Sequence, residues 1–169
     1  MGAPWWMVTG LLFVAALVQA SLIPAAGFGA RRPDLVLQLV VVWAVLRGVR
    51  QALPWAFLGG LFLDLLSAAP FGTATLAMVL VAFCASAGQV GVFRSNLLPA
   101  VAIVFGASVL YALIFLFLLR THQVPVEWLG TLRHVVVPNA LLNTVLAPLA
   151  YVLLGQVERR TRGTAVVGW

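Results

Sequence analysis

Long apolar stretches, separated by short segments rich in Arg, Pro and Gly, dominate this sequence. Residues 97–119 form 23 consecutive positions without a charged side chain, and about 20 apolar residues suffice for an α-helix to cross the hydrocarbon core of a bilayer. Only 8% of the 169 residues are charged, against about 25% in an average soluble domain. A soluble fold of this size could not cover its surface with so few charged side chains, so the sequence predicts an integral membrane protein.

Six apolar stretches predict six helices in one transmembrane domain, residues 1–169. The second and third stretches are shorter than a full span, so we expect these helices to tilt little, to include flanking residues, or to form a hairpin that neighbouring helices shield from lipid. The first stretch could instead be a cleaved signal peptide, but residues 1–10 hold no Arg or Lys, which favours a membrane helix. The predicted helices cover residues 5–24, 34–47, 52–67, 73–92, 97–119 and 131–155, and a basic tail covers 156–169. The predicted fold class is an all-α, compact bundle of six transmembrane helices.

Positive charge is concentrated at the ends of the apolar stretches. The formal net charge of +6 comes from ten Arg and no Lys, and arginines at helix ends anchor helices to lipid headgroups and set their orientation. No basic face with interleaved aromatic residues indicates nucleic-acid binding. With both termini cytoplasmic, six arginines lie inside and four outside, as the positive-inside rule favours. The inner ones are Arg47, Arg50, Arg94, Arg159, Arg160 and Arg162, and the outer ones are Arg31, Arg32, Arg120 and Arg133.

Asp64 is the most informative polar residue, because it lies inside the apolar segment 59–66. A carboxylate at this depth costs a few kcal/mol on insertion scales, so we expect it to face protein, a water pocket or the interface. It could serve as a proton or ion relay or as an anchor for a partner. The alternative is a structural tie to Arg31, Arg32, Arg133 or His134. No second embedded acid and no convincing internal repeat accompany Asp64, which argues against active transport by this chain alone.

The other candidate polar sites are few. Asn139 and Asn143 are four positions apart and share one face of the sixth helix, while Gln38 lies in the second helix and Trp128 in the polar connection before the sixth. Asn in a membrane helix usually bonds to a neighbouring helix at roughly 0.6–2 kcal/mol. We therefore interpret the Asn pair first as a contact between helices and second as a ligand contact.

No pattern predicts catalysis, a metal site or a cofactor. The sequence has no Gly-rich phosphate loop, no G-x-S-x-G nucleophile motif and no H-E-x-x-H zinc motif. The single cysteine, Cys84, excludes an intrachain disulfide and a cysteine metal cluster. His122 and His134 have no carboxylate at metal-ligand spacing. The sequence therefore argues against an enzyme.

Two segments, in order, resemble those of a known family. The first is Arg-Pro-Asp-Leu-Val-Leu at residues 32–37, and the second has the form G-L-x-x-D-L-L-S-x-x-P-x-G at residues 60–72. Together with the length and spacing of the later helices, they resemble the MreD family of bacterial rod shape-determining membrane proteins. The resemblance covers most of the chain.

The resemblance implies a role in cell elongation rather than a reaction. Members of the family are understood to be scaffolds of the bacterial cytoplasmic membrane that bind MreC, a single-span protein with a large extracytoplasmic domain. They support the peptidoglycan-elongating polymerase and transpeptidase and the MreB filament, and their fold is similar to the substrate-binding membrane subunits of vitamin-uptake (ECF-type) transporters. The residues expected to contact the partner or to shape its surface are Asp34, Asp64, Pro70, Phe71, Gly72, Trp128, Asn139 and Asn143.

A second hypothesis is a small-molecule-binding membrane subunit of a vitamin-type transporter, with a pocket between helices near the outer face. Such a pocket needs several convergent polar or aromatic groups. The candidates are Gln38, Asp64, Trp128, Asn139 and Asn143. A lipid-processing enzyme is a third option, and the sequence offers no catalytic constellation for it.

Overall fold

All regular secondary structure in the computed structural model is helical, and the structure describes residues 5–22, 33–87, 97–125 and 127–163. The predicted all-α class is therefore confirmed. Helix α1 is Trp5–Leu17 and continues into a π-helical turn, Val18–Leu22; α2 is Leu35–Arg47, α3 is Val49–Leu66, α4 is Thr73–Ala87 and α5 is Leu97–Thr121. Helix α6 has three consecutive parts, Trp128–Thr131, the π-helical Leu132–Val136 and Val137–Gly163.

Several boundaries differ from the predicted ones. Helix α3 begins at Val49 rather than at residue 52, α5 ends at Thr121 rather than at 119, and α6 runs from Trp128 to Gly163 rather than from 131 to 155. Much of the predicted basic tail is thus helical, because the end of an apolar stretch does not by itself end a helix. The predicted ends of the first and fourth helices, residues 23–24 and 88–92, lie outside the described residues, as do Arg31, Arg32 and Arg94.

Helix α2 is the centre of the bundle. Within the described part of the chain it packs against each of the other five helices. Nine of its 13 residues are buried: Val36, Leu37, Gln38, Val40, Val41, Val42, Trp43, Ala44 and Val45. A helix of this length spans only about 20 Å at 1.5 Å per residue, which is less than a bilayer core. Neighbouring helices cover most of α2 and leave Leu35 and Leu39 partly exposed, which fits a short helix shielded by its neighbours.

One residue, Gly48, connects α2 to α3. Its φ of +80° is in the left-handed region that favours glycine. Its N–H donates to the Ala44 carbonyl at 2.9 Å, and its own carbonyl accepts from the Ala52 N–H at 3.0 Å. The turn between the two helices therefore needs no further residue, which is why α3 begins earlier than the charges around Gly48 suggest. Across this turn the Trp43 and Trp55 rings stack with centroids 4.4 Å apart.

Helix α3 lies very close to the first turn of α4. A Cβ atom added to Gly60 would collide with the backbone of Thr75, and one added to Gly59 would lie 2.6 Å from Cγ1 of Val36. Only glycine permits these approaches without a shift of backbone or side chains. The two glycines thus allow α3 to pack tightly between α2 and α4.

Two helical segments are long and apolar enough to cross a membrane, Val101–Thr121 and Trp128–Val157. Three shorter apolar helices accompany them, namely Trp6–Ser21, Leu35–Arg47 and Thr73–Ala87. Large apolar side chains also face outward, including Phe83, Phe117 and Val145. Such outward apolar surface is consistent with a lipid environment.

Candidate functional site

A cavity of about 510 Å³ opens at one end of the bundle. It lies between the π-helical turn after α1, the start of α2, the end of α3, the start of α4, and the facing sides of α5 and α6. The polar side chains that line it include Gln19, Asp34, Ser108, Tyr111, Asn139 and Asn143. Leu66, Phe115 and Val136 are among the apolar ones. We call this end the Asp34 end and the opposite end, where α2 meets α3, the Arg47 end.

Asp34 is held at the cavity wall by neutral groups. It immediately precedes α2, its Oδ1 accepts a hydrogen bond from Nε2 of Gln19 at 2.9 Å, and its backbone N–H donates to Oδ1 of Asn143 at 2.8 Å. The side-chain oxygen of Gln19, Oε1, in turn accepts the Val36 N–H at 3.2 Å. This N–H is one of the donors in the first turn of α2 that have no partner within the helix. Gln19 and Asn143 thus fix the start of α2 against α1 and α6.

Asn143 connects three helices from the middle of α6 and is fully buried. Besides its bond to Asp34, its Nδ2 donates to the Ser108 hydroxyl of α5 at 3.1 Å. Its backbone carbonyl accepts from Nε2 of Gln38 on α2 at 3.0 Å. Every polar group of the Asn143 side chain is therefore paired with a neighbouring helix, as is typical of Asn inside a membrane bundle.

Both π-helical segments border the cavity. Gln19 belongs to the segment Val18–Leu22, and Val136 belongs to the segment Leu132–Val136. A π-helical turn is rare, and such turns often lie at functional sites because they rearrange the side chains of a helix. Here they widen two helices at the same end of the bundle and beside the same space.

Asp64 lies beside the cavity and is 4% exposed. Its Oδ1 accepts the Ala74 N–H at 2.8 Å, and its Oδ2 accepts the Thr75 N–H at 3.0 Å and the Thr75 hydroxyl at 2.6 Å. The partners of Asp64 are therefore in the first turn of α4, and the predicted tie to Arg133 or His134 is wrong. The physical reason is that free N–H groups at a helix start bind a carboxylate without any counter-ion. The other two candidates for that tie, Arg31 and Arg32, lie outside the described residues.

The turn between α3 and α4 completes this end of the bundle. The Pro70 carbonyl accepts the Thr73 N–H at 3.2 Å and the Thr73 hydroxyl at 2.6 Å. Gly72 has a φ of +91°, so a side chain there would strain the backbone. Phe71, between them, is 67% exposed. The turn thus presents an apolar ring at the surface on a fixed backbone.

A family model described as "rod shape-determining protein MreD" matches residues 2–157 of the 169-residue chain. The chain belongs to the MreD family. It is therefore a bacterial membrane protein with a role in rod shape determination, and the family is one of structural shape-determining proteins. No curated protein and no solved structure matches the chain.

The structure brings together some of the residues that the sequence singled out and separates others. Asp34, Asn139 and Asn143 line the cavity. Asp64 and the segment Pro70–Gly72 lie beside it, at the α3–α4 turn. Trp128 is at the start of α6 and is 38% exposed, without lining the cavity. Gln38 is buried, and its Nε2 donates to the backbone carbonyl of Asn143 on α6, but it does not line the cavity.

Three residues of this MreD site were missed from the sequence: Gln19, Ser108 and Tyr111. Gln19 had a usable signal, because it is an amide in an apolar stretch, as Asn139 and Asn143 are. Ser108 had no distinct signal, since a serine hydroxyl in a helix can bond to its own backbone, and a tyrosine in an apolar helix is as typical of core packing as of a binding site. Only the packing of α5 against α6 places them at the cavity.

The chemistry of this site is that of a binding pocket. Among the described lining residues Asp34 is the single charged group, and the others offer amides, hydroxyls, aromatic rings and aliphatic surface. Pockets that bind a molecule or a peptide segment have this composition, a mostly apolar wall with a few placed polar groups. The cavity can therefore hold a partner group through shape, hydrogen bonds and one negative charge.

Proposed function

We propose that this MreD-family chain is a non-enzymatic membrane scaffold of the cell-elongation machinery and that it binds MreC through the Asp34 end. The cavity is the observation that supports this proposal most strongly. It has about 510 Å³ of space, a fixed carboxylate in its wall and two π-helical segments at its border. A scaffold needs a preformed docking site rather than a catalytic group, and this end of the molecule offers one.

The surroundings of the cavity favour a protein partner. Leu65, which precedes the lining residue Leu66 at the end of α3, is 64% exposed, and Phe71 in the α3–α4 turn is 67% exposed. Aromatic side chains exposed beside a pocket are typical anchors of protein–protein contacts. In this proposal Pro70 and Gly72 hold Phe71 in place, and Trp128 contacts MreC at the start of α6.

The topology proposed with this function has six membrane helices and both termini in the cytoplasm, in the cytoplasmic membrane. It places the Asp34 end outside, where the large domain of MreC lies, and the Arg47 end inside. Bound in this way, the chain links MreC to the elongation polymerase and transpeptidase and to the MreB filament. The proposed fold relationship is to the membrane subunits of ECF-type transporters.

A second candidate function is supported by the same cavity. Its volume lies within the roughly 300–1,000 Å³ range of small-molecule pockets, so the chain could be the ligand-binding subunit of a vitamin-type transporter. Five residues were expected to form such a pocket. Three of them, Gln38, Asp64 and Trp128, do not line the cavity. The Asn143 side chain lines it but is hydrogen-bonded to Asp34 and Ser108. Of the five expected residues only Asn139 and Asn143 line the cavity, which makes the scaffold the better-supported function.

One experiment separates the two functions. The chain is purified in mild detergent from its native host, and the proteins and small molecules that accompany it are identified by mass spectrometry. Near-stoichiometric MreC is the result expected for a scaffold. ATP-binding-cassette subunits or a tightly held small molecule, without MreC, would contradict the scaffold and support the transport subunit.

A further inference from the structure

The charge of the cavity wall restricts what can occupy it. Asp34 is the one carboxylate among the described lining residues, and none of these residues is Arg, Lys or His. An anionic group would be repelled from this space, whereas a cationic group would be attracted. Hydrogen bonds and an opposite charge are two ways to compensate the lost hydration of a carboxylate that is partly withdrawn from water.

The hydrogen bonds of Asp34 supply only the first of these compensations. Its carboxylate accepts from the neutral Gln19 amide, and its backbone N–H donates to the neutral Asn143 amide. These bonds fix the position of the carboxylate at the wall without neutralising its charge. In the described part of the chain, no cationic side chain pairs with it.

Aromatic residues near Asp34 add a second attraction for a cation. Tyr111 and Phe115 both line the cavity, and their rings lie 5.8 Å apart on the same helix, α5. The face of an aromatic ring attracts an ammonium or guanidinium group, more strongly where water is excluded. A carboxylate and two rings around one space form a pocket suited to a long cationic side chain with an apolar stem.

We infer that the segment of MreC that enters this cavity places a lysine or arginine side chain against Asp34. This inference rests on the MreC binding proposed above. It assigns to Asp34 the role of the specificity-determining residue at the interface. The carboxylate selects the partner's basic residue, and Tyr111 and Phe115 hold the stem of that side chain.

The test compares Asp34→Asn with the matched control Glu127→Gln, which removes the same charge from an exposed position near the same end. Asn keeps an oxygen for Gln19 and the backbone N–H for Asn143. The dissociation constant of full-length MreC from each purified full-length variant is measured in detergent, together with the melting temperature. We expect Asp34→Asn to weaken binding by at least about tenfold and Glu127→Gln to change it by less than about twofold.

The same measurement is repeated with MreC variants in which each membrane-proximal Lys or Arg is replaced by Gln. One of these should weaken binding about as much as Asp34→Asn does, and the two changes together should cost little more than either alone. Loss of affinity for Asp34→Asn without coupling to any basic residue of MreC would overturn the inference. An aminophospholipid that accompanies the unmodified chain and is released by Asp34→Asn, with no such coupling, would also overturn it.

Two outcomes separate this inference from the proposed function. If MreC does not bind the unmodified chain, the proposed function fails; if it binds equally well to Asp34→Asn, only the inference fails. If Asp34→Asn melts far below Glu127→Gln, the MreC side is varied instead. Each membrane-proximal Lys or Arg of MreC is changed to Glu and to Gln, and both variants are tested against the unmodified chain. The Glu variant should bind at least about tenfold more weakly than the Gln variant, because it sets two like charges together, and equal losses would contradict the inference.

Discussion

Asp64 and Thr75 join the end of α3 to the start of α4 through two hydrogen bonds to one carboxylate oxygen. Oδ2 of Asp64 accepts the Thr75 backbone N–H at 3.0 Å and the Thr75 hydroxyl at 2.6 Å. A helix start is normally capped by the side chain of its own N-cap residue, but Gly72 precedes α4 and has no side chain to offer. The acid inside the apolar segment of α3 thus acts as the cap of the next helix.

Replacing Asp64 by Asn should destabilise the chain by about 2–4 kcal/mol, because the amide nitrogen that replaces one carboxylate oxygen would face a donor, either the Ala74 N–H or the Thr75 N–H, and could not accept from it. The check is thermal unfolding in mild detergent, with Glu127→Gln as the control for loss of an exposed acid. A melting temperature equal to that of the control would show that the Asp64 cap does not hold α3 to α4.

Replacing Gly60 by Ala should also destabilise the chain, by about 2 kcal/mol or more, since the new methyl group would collide with the Thr75 backbone. Gly106→Ala on α5 is the matched control, because a Cβ there meets nothing within 4 Å. The control should be neutral or slightly stabilising, as alanine favours helix over glycine by about 1 kcal/mol. Similar melting temperatures for the two variants would contradict the close approach of α3 and α4.

Replacing Asn143 by Ala should cost about 1–3 kcal/mol, because it removes bonds to Asp34 and Ser108 that each contribute roughly 0.6–2 kcal/mol in a membrane bundle. Thr144→Ala is the control, since the Thr144 hydroxyl donates to the Ala140 carbonyl of its own helix. The melting temperatures of both variants are compared with that of the unmodified chain. An Asn143 variant as stable as the Thr144 variant would show that these bonds do not hold the helices together.

Cysteine labelling tests the proposed topology. With Cys84→Ser as the background, Ser67→Cys places a thiol at the Asp34 end and Gln51→Cys places one near the Arg47 end. A membrane-impermeant maleimide added to intact cells should label residue 67 and leave residue 51 unlabelled until the cells are opened. Labelling of residue 51 alone would reverse the orientation, and labelling of both would contradict opposite membrane sides.

Much of the fold could be predicted from the sequence because apolar stretches and turn residues report helices directly. The shortness of α2 and its burial inside the bundle, for example, follow from a 13-residue helix between charged ends. Helix ends were harder to predict, since Arg50 and Arg159 mark where apolar surface stops and not where hydrogen bonding stops. The single-residue turn at Gly48 depends on its positive φ, which an Arg-Gly pattern suggests but does not locate.

The site was predictable only in part, because its partners come from different helices. Asp64 could be recognised as an acid that must face protein, but its bond to Thr75 depends on how closely Gly60 lets α4 approach. Asn143 was expected to bond to a neighbouring helix, and it does. Gln19 follows the same rule, whereas the π-helical turns that bring Gln19 and Val136 to the cavity leave no mark in the hydrophobic period.

Docking of MreC at the cavity is tested most directly by a side chain that fills that space. Ala112→Trp places a large ring on a lining residue of α5, and Ala102→Trp places the same ring on an exposed position of the same helix. The dissociation constant of full-length MreC is measured for both variants, with melting temperatures alongside. We expect a loss of at least about tenfold for Ala112→Trp and less than about twofold for Ala102→Trp. Unchanged MreC affinity in a folded Ala112→Trp variant would contradict docking at the cavity.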